Sequence, residues 1–316
     1  MKIVVLDAAT FGGDLDLSPL SEIGETTVFD NTAAADVARR LADAQVAVVN
    51  KVKLNKENLE GLDSLKLICI LATGYDNVDT DYCRQAGIAV CNVVGYSSDN
   101  VTQLTLAMAL SLINRLPEYT QYVRSGKYSE SGVANRLTPV YHEISGKTWG
   151  IVGYGNIGRR VAAAAEALGC RVIINKRTAK EGLDCVSLEA LCKTSDIISV
   201  HTPLNESTRG LISEKLISMM KKDAIFINVA RGAVADEEAL CKAIEEERLG
   251  ALGIDVYSTE PFGKDHPFYR IKDYPNVCLT PHMAWGSYEA RVRCLDEVIK
   301  NIRDFYAGGK RNRVDI

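Results

Sequence analysis

The sequence predicts an α/β protein with two parallel sheets, the second of them doubly wound. Three observations lead there. Short apolar runs alternate with helical stretches along the first hundred residues, and a second, fuller series begins at residue 148. Between the two lies DNVTQLTLAMALSLINRL, which is apolar on nearly all sides over five turns and so belongs to a helix buried between layers or between domains. A glycine-rich turn then joins the first strand of the second series to an alanine-rich helix. Strands separated by helical crossovers pair in parallel, because two neighbouring parallel strands need a connection long enough to return to the same end.

Length and charge narrow the class. The chain has 316 residues, room for two domains, with 47% hydrophobic and 25% charged residues, the balance of a packed globular protein. A net charge of −4 lacks the basic excess that a nucleic-acid or anionic-membrane surface needs, so the expected partner is a small molecule. Nine cysteines are scattered without a C-x-x-C pair, several inside runs such as LKLICILA, which fits buried reduced thiols and neither a disulfide framework nor a metal site. The apolar run at the N-terminus is too short for a signal segment, and no stretch approaches 18 uninterrupted apolar residues. A soluble, cytoplasmic protein without membrane contact is the expectation.

Taken in order, the first strands are KIVVLD, AQVAVVN, LKLICILA and IAVCNV, with the helical pattern LNKENLEGLDSL between the second and third. The second series comprises TWGIVGYG, CRVIIN, DIISVHTP, AIFINVA, ALGIDVY and VCLTPH, separated by helical stretches such as DEEALCKAIEEERLG. The last thirty residues read as an amphipathic helix and a polar tail, expected to return to the first domain.

The turn Gly153-Tyr154-Gly155-Asn156-Ile157-Gly158 has the context that a G-x-G-x-x-G motif requires, directly after an apolar strand and opening a helix. The first glycine permits a tight turn, the second lets a pyrophosphate approach the backbone, and the third lets the helix pack on the strand. About 20 residues on, a carboxylate would accept hydrogen bonds from the ribose 2′-OH of NAD. Here Lys176, Arg177 and Thr178 stand instead. The two cations pair with a 2′-phosphate and favour NADP(H), with NAD(H) still possible if both are solvated charges.

Four further stretches follow in order: ATGYDNVD (72–79), NVARG (228–232), GIDVYSTEP (253–261) and LTPHMAWGSYEAR (279–291). With the glycine turn, they resemble the D-isomer-specific 2-hydroxyacid dehydrogenase family over nearly the whole chain, most closely its glycerate dehydrogenase/hydroxypyruvate reductase branch. The resemblance implies a Rossmann-type doubly wound parallel sheet inserted into a smaller flavodoxin-like α/β domain. Residues 1–98 plus 286–316 would form the substrate-binding domain and 99–285 the dinucleotide-binding domain, with the active site in the cleft. It also implies a homodimer built around the long helix that starts near Asp99, although burial inside one chain would produce the same apolar pattern.

By the same resemblance the catalytic trio is Arg231 (N-x-x-R), Glu260 (E-P) and His282 (P-H). Asp255 matches an aspartate beside the nicotinamide. Thr102, His201, Thr202, Pro203, Val229 and Ala230 match cofactor contacts. Gly74 and Tyr75 offer backbone N–H groups to a substrate carboxylate. Lys51 reads a second polar group of the substrate or is solvated. Trp285 closes the pocket, reaches from a neighbouring subunit or is a buried aromatic.

The chemistry supports the trio independently. A 2-oxo acid needs a cation for its carboxylate and an acid that protonates the carbonyl oxygen as hydride arrives; arginine's planar fork suits the first task and imidazolium the second. A carboxylate partner orients the ring and favours its charged form. The expected reaction is reduction of hydroxypyruvate or glyoxylate to D-glycerate or glycolate. A D-lactate or aryl-lactate type dehydrogenase is the alternative, and a non-catalytic dinucleotide-sensing protein the more distant one. Of the four histidines, His201 is expected to pack beside the cofactor, and His142 and His266 are expected to be ordinary surface residues.

Overall fold

A computed structural model describes residues 1–178 and 182–316. The chain divides into two compact units, Met1–Ser97 with Gly286–Ile316, and Ser98–Trp285.

The first unit holds a parallel sheet of five strands: β1 (Lys2–Val5), β2 (Glu25–Val28), β3 (Val46–Val49), β4 (Leu67–Ile70) and β5 (Ala89–Cys91). Their order, β2-β1-β3-β4-β5, is that of a flavodoxin-like sheet. Every residue of β3 and β4 is buried, as expected for central strands covered on both faces. Strand β2 was not among the strands expected from the apolar pattern. It is the edge strand, its sequence ETTV is mostly exposed, and it has no inward face to require an apolar run.

The helix Tyr288–Tyr306 lies over β4 and buries Ala290, Cys294, Leu295, Val298, Ile299 and Ile302, a single stripe at helical spacing. Ser287 caps it by accepting from the Ala290 N–H. Beyond it the chain runs beside β5, where the Val314 N–H donates to the Val90 carbonyl and the Asp315 carboxylate accepts from the Val90 N–H.

The second unit holds six parallel strands: β6 (Thr148–Val152), β7 (Arg171–Asn175), β8 (Ile197–Val200), β9 (Ile225–Asn228), β10 (Ala251–Ile254) and β11 (Val277–Leu279). The order is β11-β10-β9-β8-β6-β7, and a single parallel bridge from Ile174 to Cys185 adds a vestigial strand beyond β7. Counted with it, the order becomes that of a Rossmann sheet, with the direction of winding reversing between β6 and β8. The helix Ser98–Ile113 packs on β9, β10 and the helix Asn156–Ala167. Gly253 makes room for it, since a Cβ there would stand 3.3 Å from the Met108 sulfur. Buried alanines 162 and 165 on the facing helix allow the close approach.

All nine cysteines are free thiols; seven are buried, and Cys185 and Cys278 are half-buried. Burial pushes the thiols of Cys83, Cys91, Cys192 and Cys241 up to about 12, which keeps them protonated and unreactive. No helix among the described residues is long and apolar enough to cross a membrane.

Candidate active site

In the second unit, the ends of β6 and β8 form one side of the site. Gly153 has φ of +93°, and a Cβ there would lie 2.9 Å from the His201 carbonyl carbon, so both conformation and space demand glycine. At Gly158 a Cβ would run into the Gly153 carbonyl, whereas at Gly155 it would meet only open space. Gly155 is the N-cap of the helix Asn156–Ala167 and has no side chain to bond the first turn, so the N–H groups of Asn156, Ile157 and Gly158 face outward at the positive end of the helix dipole. An uncapped helix start behind an open glycine fits a pyrophosphate.

The Gly153 N–H donates to the Asn175 carbonyl at 2.9 Å, which brings the end of β7 beside the turn. Lys176 is half-buried there and Arg177 and Thr178 are exposed. Neither cation forms an ion pair among the described residues. Their neighbours Ala179, Lys180 and Glu181 lie outside the described residues.

After β8, the His201 N–H donates to the Val152 carbonyl at 2.7 Å and its Nε2 meets Ser199 Oγ at 2.9 Å, which also accepts from Trp149 Nε1. Burial pushes the imidazole down to about 3, so it is neutral at working pH. Its Nδ1 is buried with no hydrogen-bond partner among the described residues, an orphan beside the turn that a ligand group would complete. Thr202 is buried, Pro203 is exposed, and the Thr202 hydroxyl bonds the Pro203 carbonyl at 3.1 Å. Thr102 lies buried in the helix Ser98–Ile113 with its hydroxyl on the Ser98 carbonyl at 2.8 Å.

The ends of β9, β10 and β11 form the other side. Asn228 at the end of β9 shapes the turn that follows, its Oδ1 accepting from the Ala230 N–H at 3.0 Å and its Nδ2 donating to the Arg231 carbonyl at 2.9 Å. Val229 is buried, Ala230 and Arg231 are half-buried, and Arg231 Nη1 donates to the Ala230 carbonyl at 2.8 Å. Gly232 follows, and a Cβ there would collide with the backbone of Tyr257 and Ser258. Only glycine lets the Arg231 turn lie against the segment that leads to Glu260.

Glu260 is held from both sides: Oε1 accepts from the Tyr257 N–H at 3.0 Å, and Oε2 meets His282 Nδ1 at 2.6 Å. The short contact makes Nδ1 the proton-bearing nitrogen that faces the carboxylate, with Nε2 on the other side of the ring. His282 has φ of 52°, a left-handed conformation that bulky residues avoid. Asp255 holds the strained loop in place. It is 0% exposed, and its carboxylate accepts from Thr280 Oγ1 at 2.6 Å and from the N–H groups of Met283 and Ala284 at 2.9 Å each. Burial raises its pKa while those three bonds oppose the rise. Trp285 closes this stretch, half-buried.

In the first unit, the loops after β3 and β4 are tied together. Asp7, after β1, is 2% exposed and accepts from the N–H groups of Asn50 at 2.9 Å, Lys51 at 2.6 Å and Val52 at 3.0 Å. Asn77 Nδ2 reaches the carbonyls of Asn50 at 3.3 Å and Val52 at 3.0 Å, so the 73–79 loop sits on the 50–52 loop. Lys51 and Tyr75 are exposed and Gly74 is half-buried at this C-terminal edge of the sheet, the edge where open α/β sheets bind ligands. Sequence reasoning missed Asp7, Asn77 and Asn228. For Asp7 and Asn228 the signal was a polar residue at or just past the end of an apolar strand, where backbone groups fall free of the ladder and need a partner, whereas Asn77, well inside the loop after β4, carried none.

His266 departs from expectation. It is 8% exposed rather than a surface residue, and Nε2 lies 3.1 Å from Glu237 Oε2. The polar stretch around it, FGKDHP, hid a ring enclosed by Tyr257, Phe262 and Phe268. Among the described residues no group of three His, Cys, Asp or Glu side chains is placed to hold a metal.

A glycine turn at the point where a doubly wound sheet reverses, together with a carboxylate–imidazole pair at the same edge, defines an oxidoreductase that uses a nicotinamide dinucleotide. A family model described as "D-isomer specific 2-hydroxyacid dehydrogenase, NAD binding domain" matches residues 106–284, and the chain belongs to that family. It is similar to a hydroxypyruvate reductase of Blautia hydrogenotrophica, 34% identical with 100% of each chain covered. It is also similar to a glycerate dehydrogenase of Methylorubrum extorquens, 36% identical with 99% of each covered. Among solved structures it resembles an acyclic imino acid reductase in complex with NADPH and D-Arg, at TM-score 0.88 and 32% identity, covering 99% of this chain and 100% of that one. A D-lactate dehydrogenase from Aquifex aeolicus, complexed with NAD and lactic acid, matches at TM-score 0.88 and 29% identity, covering 100% of this chain and 99% of that one.

Proposed function

We propose that this protein reduces hydroxypyruvate or glyoxylate to D-glycerate or glycolate, with NADPH preferred over NADH. The observation that carries the reading is the 2.6 Å contact between Glu260 and His282 on a loop clamped by buried Asp255. His282 Nε2 gives a proton to the keto oxygen while Glu260 stabilises the charged ring, and the Arg231 guanidinium binds the substrate carboxylate. With its pyrophosphate at the glycine turn, the dinucleotide would supply the hydride from its nicotinamide. Gly74 and Tyr75 offer backbone N–H groups to the substrate, Lys51 offers a cation and Trp285 an apolar wall. Names of relatives acting on small 2-oxo and 2-hydroxy acids support the substrate class. The test is a matched set of kcat/KM values for hydroxypyruvate, glyoxylate, pyruvate and phenylpyruvate; a lead by phenylpyruvate overturns the small-acid reading.

For the cofactor, the support is a pair of cations where the NAD-reading acid would stand, with no carboxylate on either among the described residues. A charge-assisted bond contributes roughly 1.5–3 kcal/mol, about ten- to a hundredfold. Replacing both Lys176 and Arg177 with alanine is expected to lower kcat/KM for NADPH by that factor and leave NADH within about threefold. Equal turnover of the wild type with both cofactors at limiting concentration contradicts the preference.

The protein is proposed to act as a homodimer. Leu116, Val123, Val133, Leu137 and Val140 are each 50–66% exposed within residues 116–140, apolar side chains that a second copy of the chain would cover. Changing Leu137 and Val140 together to aspartate is expected to shift sedimentation from dimer to monomer; a wild-type monomer overturns the proposal.

A further inference from the structure

We propose that Glu237 and His266 are positioning residues for the acid pair, holding the 257–266 segment so that Glu260 stays against His282. The inference rests on the reading of Glu260 and His282 given above.

Glu237 opens the helix Glu237–Glu245, directly after the N-cap Asp236, where the helix dipole favours its charge. Its carboxylate reaches across to the segment that bears Glu260. Oε1 accepts from the Ser258 N–H at 2.8 Å, and Oε2 takes the Ser258 hydroxyl and lies 3.1 Å from His266 Nε2. The Phe268 N–H donates to His266 Nδ1 at 3.3 Å, so that nitrogen carries no proton and the ring's N–H is Nε2, aimed at Glu237. Side chains of the pair are only 7% and 10% exposed.

The consequence for the site runs through two successive peptides. Ser258 N–H is fixed by Glu237, and the preceding N–H, of Tyr257, holds Glu260 Oε1 at 3.0 Å. The Tyr257 hydroxyl bonds the Thr280 carbonyl at 2.8 Å, which ties the same segment to the loop of His282. Among the described residues, the side-chain hydrogen bonds of Glu237 and His266 go to Ser258, Phe268 and each other, and reach the Glu260–His282 pair only through the 257–258 backbone. A buried charged hydrogen bond spent on an otherwise ordinary loop is costly, and its return here is a fixed distance between two other residues.

Two substitutions at one position separate positioning from mere capping. Asparagine at 266 keeps the N-cap acceptor for the Phe268 N–H but does not reach Glu237; glutamine reaches Glu237 with an N–H and is the poorer cap. His266→Asn is expected to lower kcat about ten- to a hundredfold with KM and NADPH affinity within threefold, because misplacement affects proton transfer and not binding. His266→Gln is expected to recover most of the loss. In a Glu260→Gln background, His266→Asn is expected to have no further effect on kcat, since residues acting through one group are not additive.

Ser258→Ala, which deletes only the hydroxyl, carries the same cycle if the asparagine variant yields little folded protein. If His266→Asn multiplies the loss in the Glu260→Gln background, or if asparagine restores activity better than glutamine, His266 is structural and the proposal falls alone. If Glu260→Gln keeps wild-type kcat, the acid-pair reading falls and takes this proposal with it.

Discussion

Exchanging His282 for asparagine is expected to lower kcat by about 10²–10⁴-fold, the usual worth of a positioned general acid. Asparagine is chosen because the residue sits at φ of 52°, a conformation that asparagine adopts with little strain and alanine does not. The clamp from Asp255 to the N–H groups of Met283 and Ala284 is backbone-directed and survives the change. The variant therefore keeps the loop and loses only a side chain able to deliver a proton. Stopped-flow reduction and a fluorescence titration of NADPH check it together: kcat collapses while cofactor affinity holds. A kcat within threefold of wild type removes His282 from the mechanism.

The second large effect is expected at Arg231. Glutamine there forfeits two charge-assisted bonds to a substrate carboxylate, roughly 1.5–3 kcal/mol each, so kcat/KM is expected to fall by about 10²–10⁴-fold. The loss divides between KM, because the carboxylate is bound in the ground state, and kcat, because the same cation polarises the carbonyl as charge develops. Its backbone is extended and its carbonyl is held by Asn228, bonds that the variant keeps while it loses the guanidinium's bond to the Ala230 carbonyl, and it is expected to fold. Lysine is expected to recover only part of the loss, since it keeps the charge without the planar fork. An unchanged KM for glyoxylate in the glutamine variant would count against carboxylate binding by this residue.

Legibility in the sequence followed burial. Strands β3, β4 and β6 were readable because central parallel strands are apolar on both faces, while β2 was not, because an exposed edge strand needs no apolar run. The vestigial pairing at Cys185 was equally silent, being one bridge at the far edge of its sheet. Gly153 and Gly158 were legible as a motif, and the atoms that forbid a side chain there are supplied locally, by the Gly153 carbonyl and the neighbouring strand end. The burial of His266 is hidden in the sequence because its neighbours along the chain are polar while its neighbours in space are Phe262, Phe268 and Glu237.

What the sequence determined by itself is what depends on neighbours along the chain: the alternation of strands and helices, the glycine turn, the absence of an acid at Lys176, and the residue types able to do the chemistry. Only the tertiary structure decided which of those residues meet. Glu260 and His282 are 22 positions apart and come within 2.6 Å because β10 and β11 are parallel neighbours that end at the same edge. Glu237 carries no sequence signal of its role, and the sequence does not show which N–H groups Asp255 and Asp7 hold, since every residue type but proline presents a backbone N–H alike. A side chain's chemistry is written in its own letter, whereas its partners are set by the strand order and the burial that folding imposes.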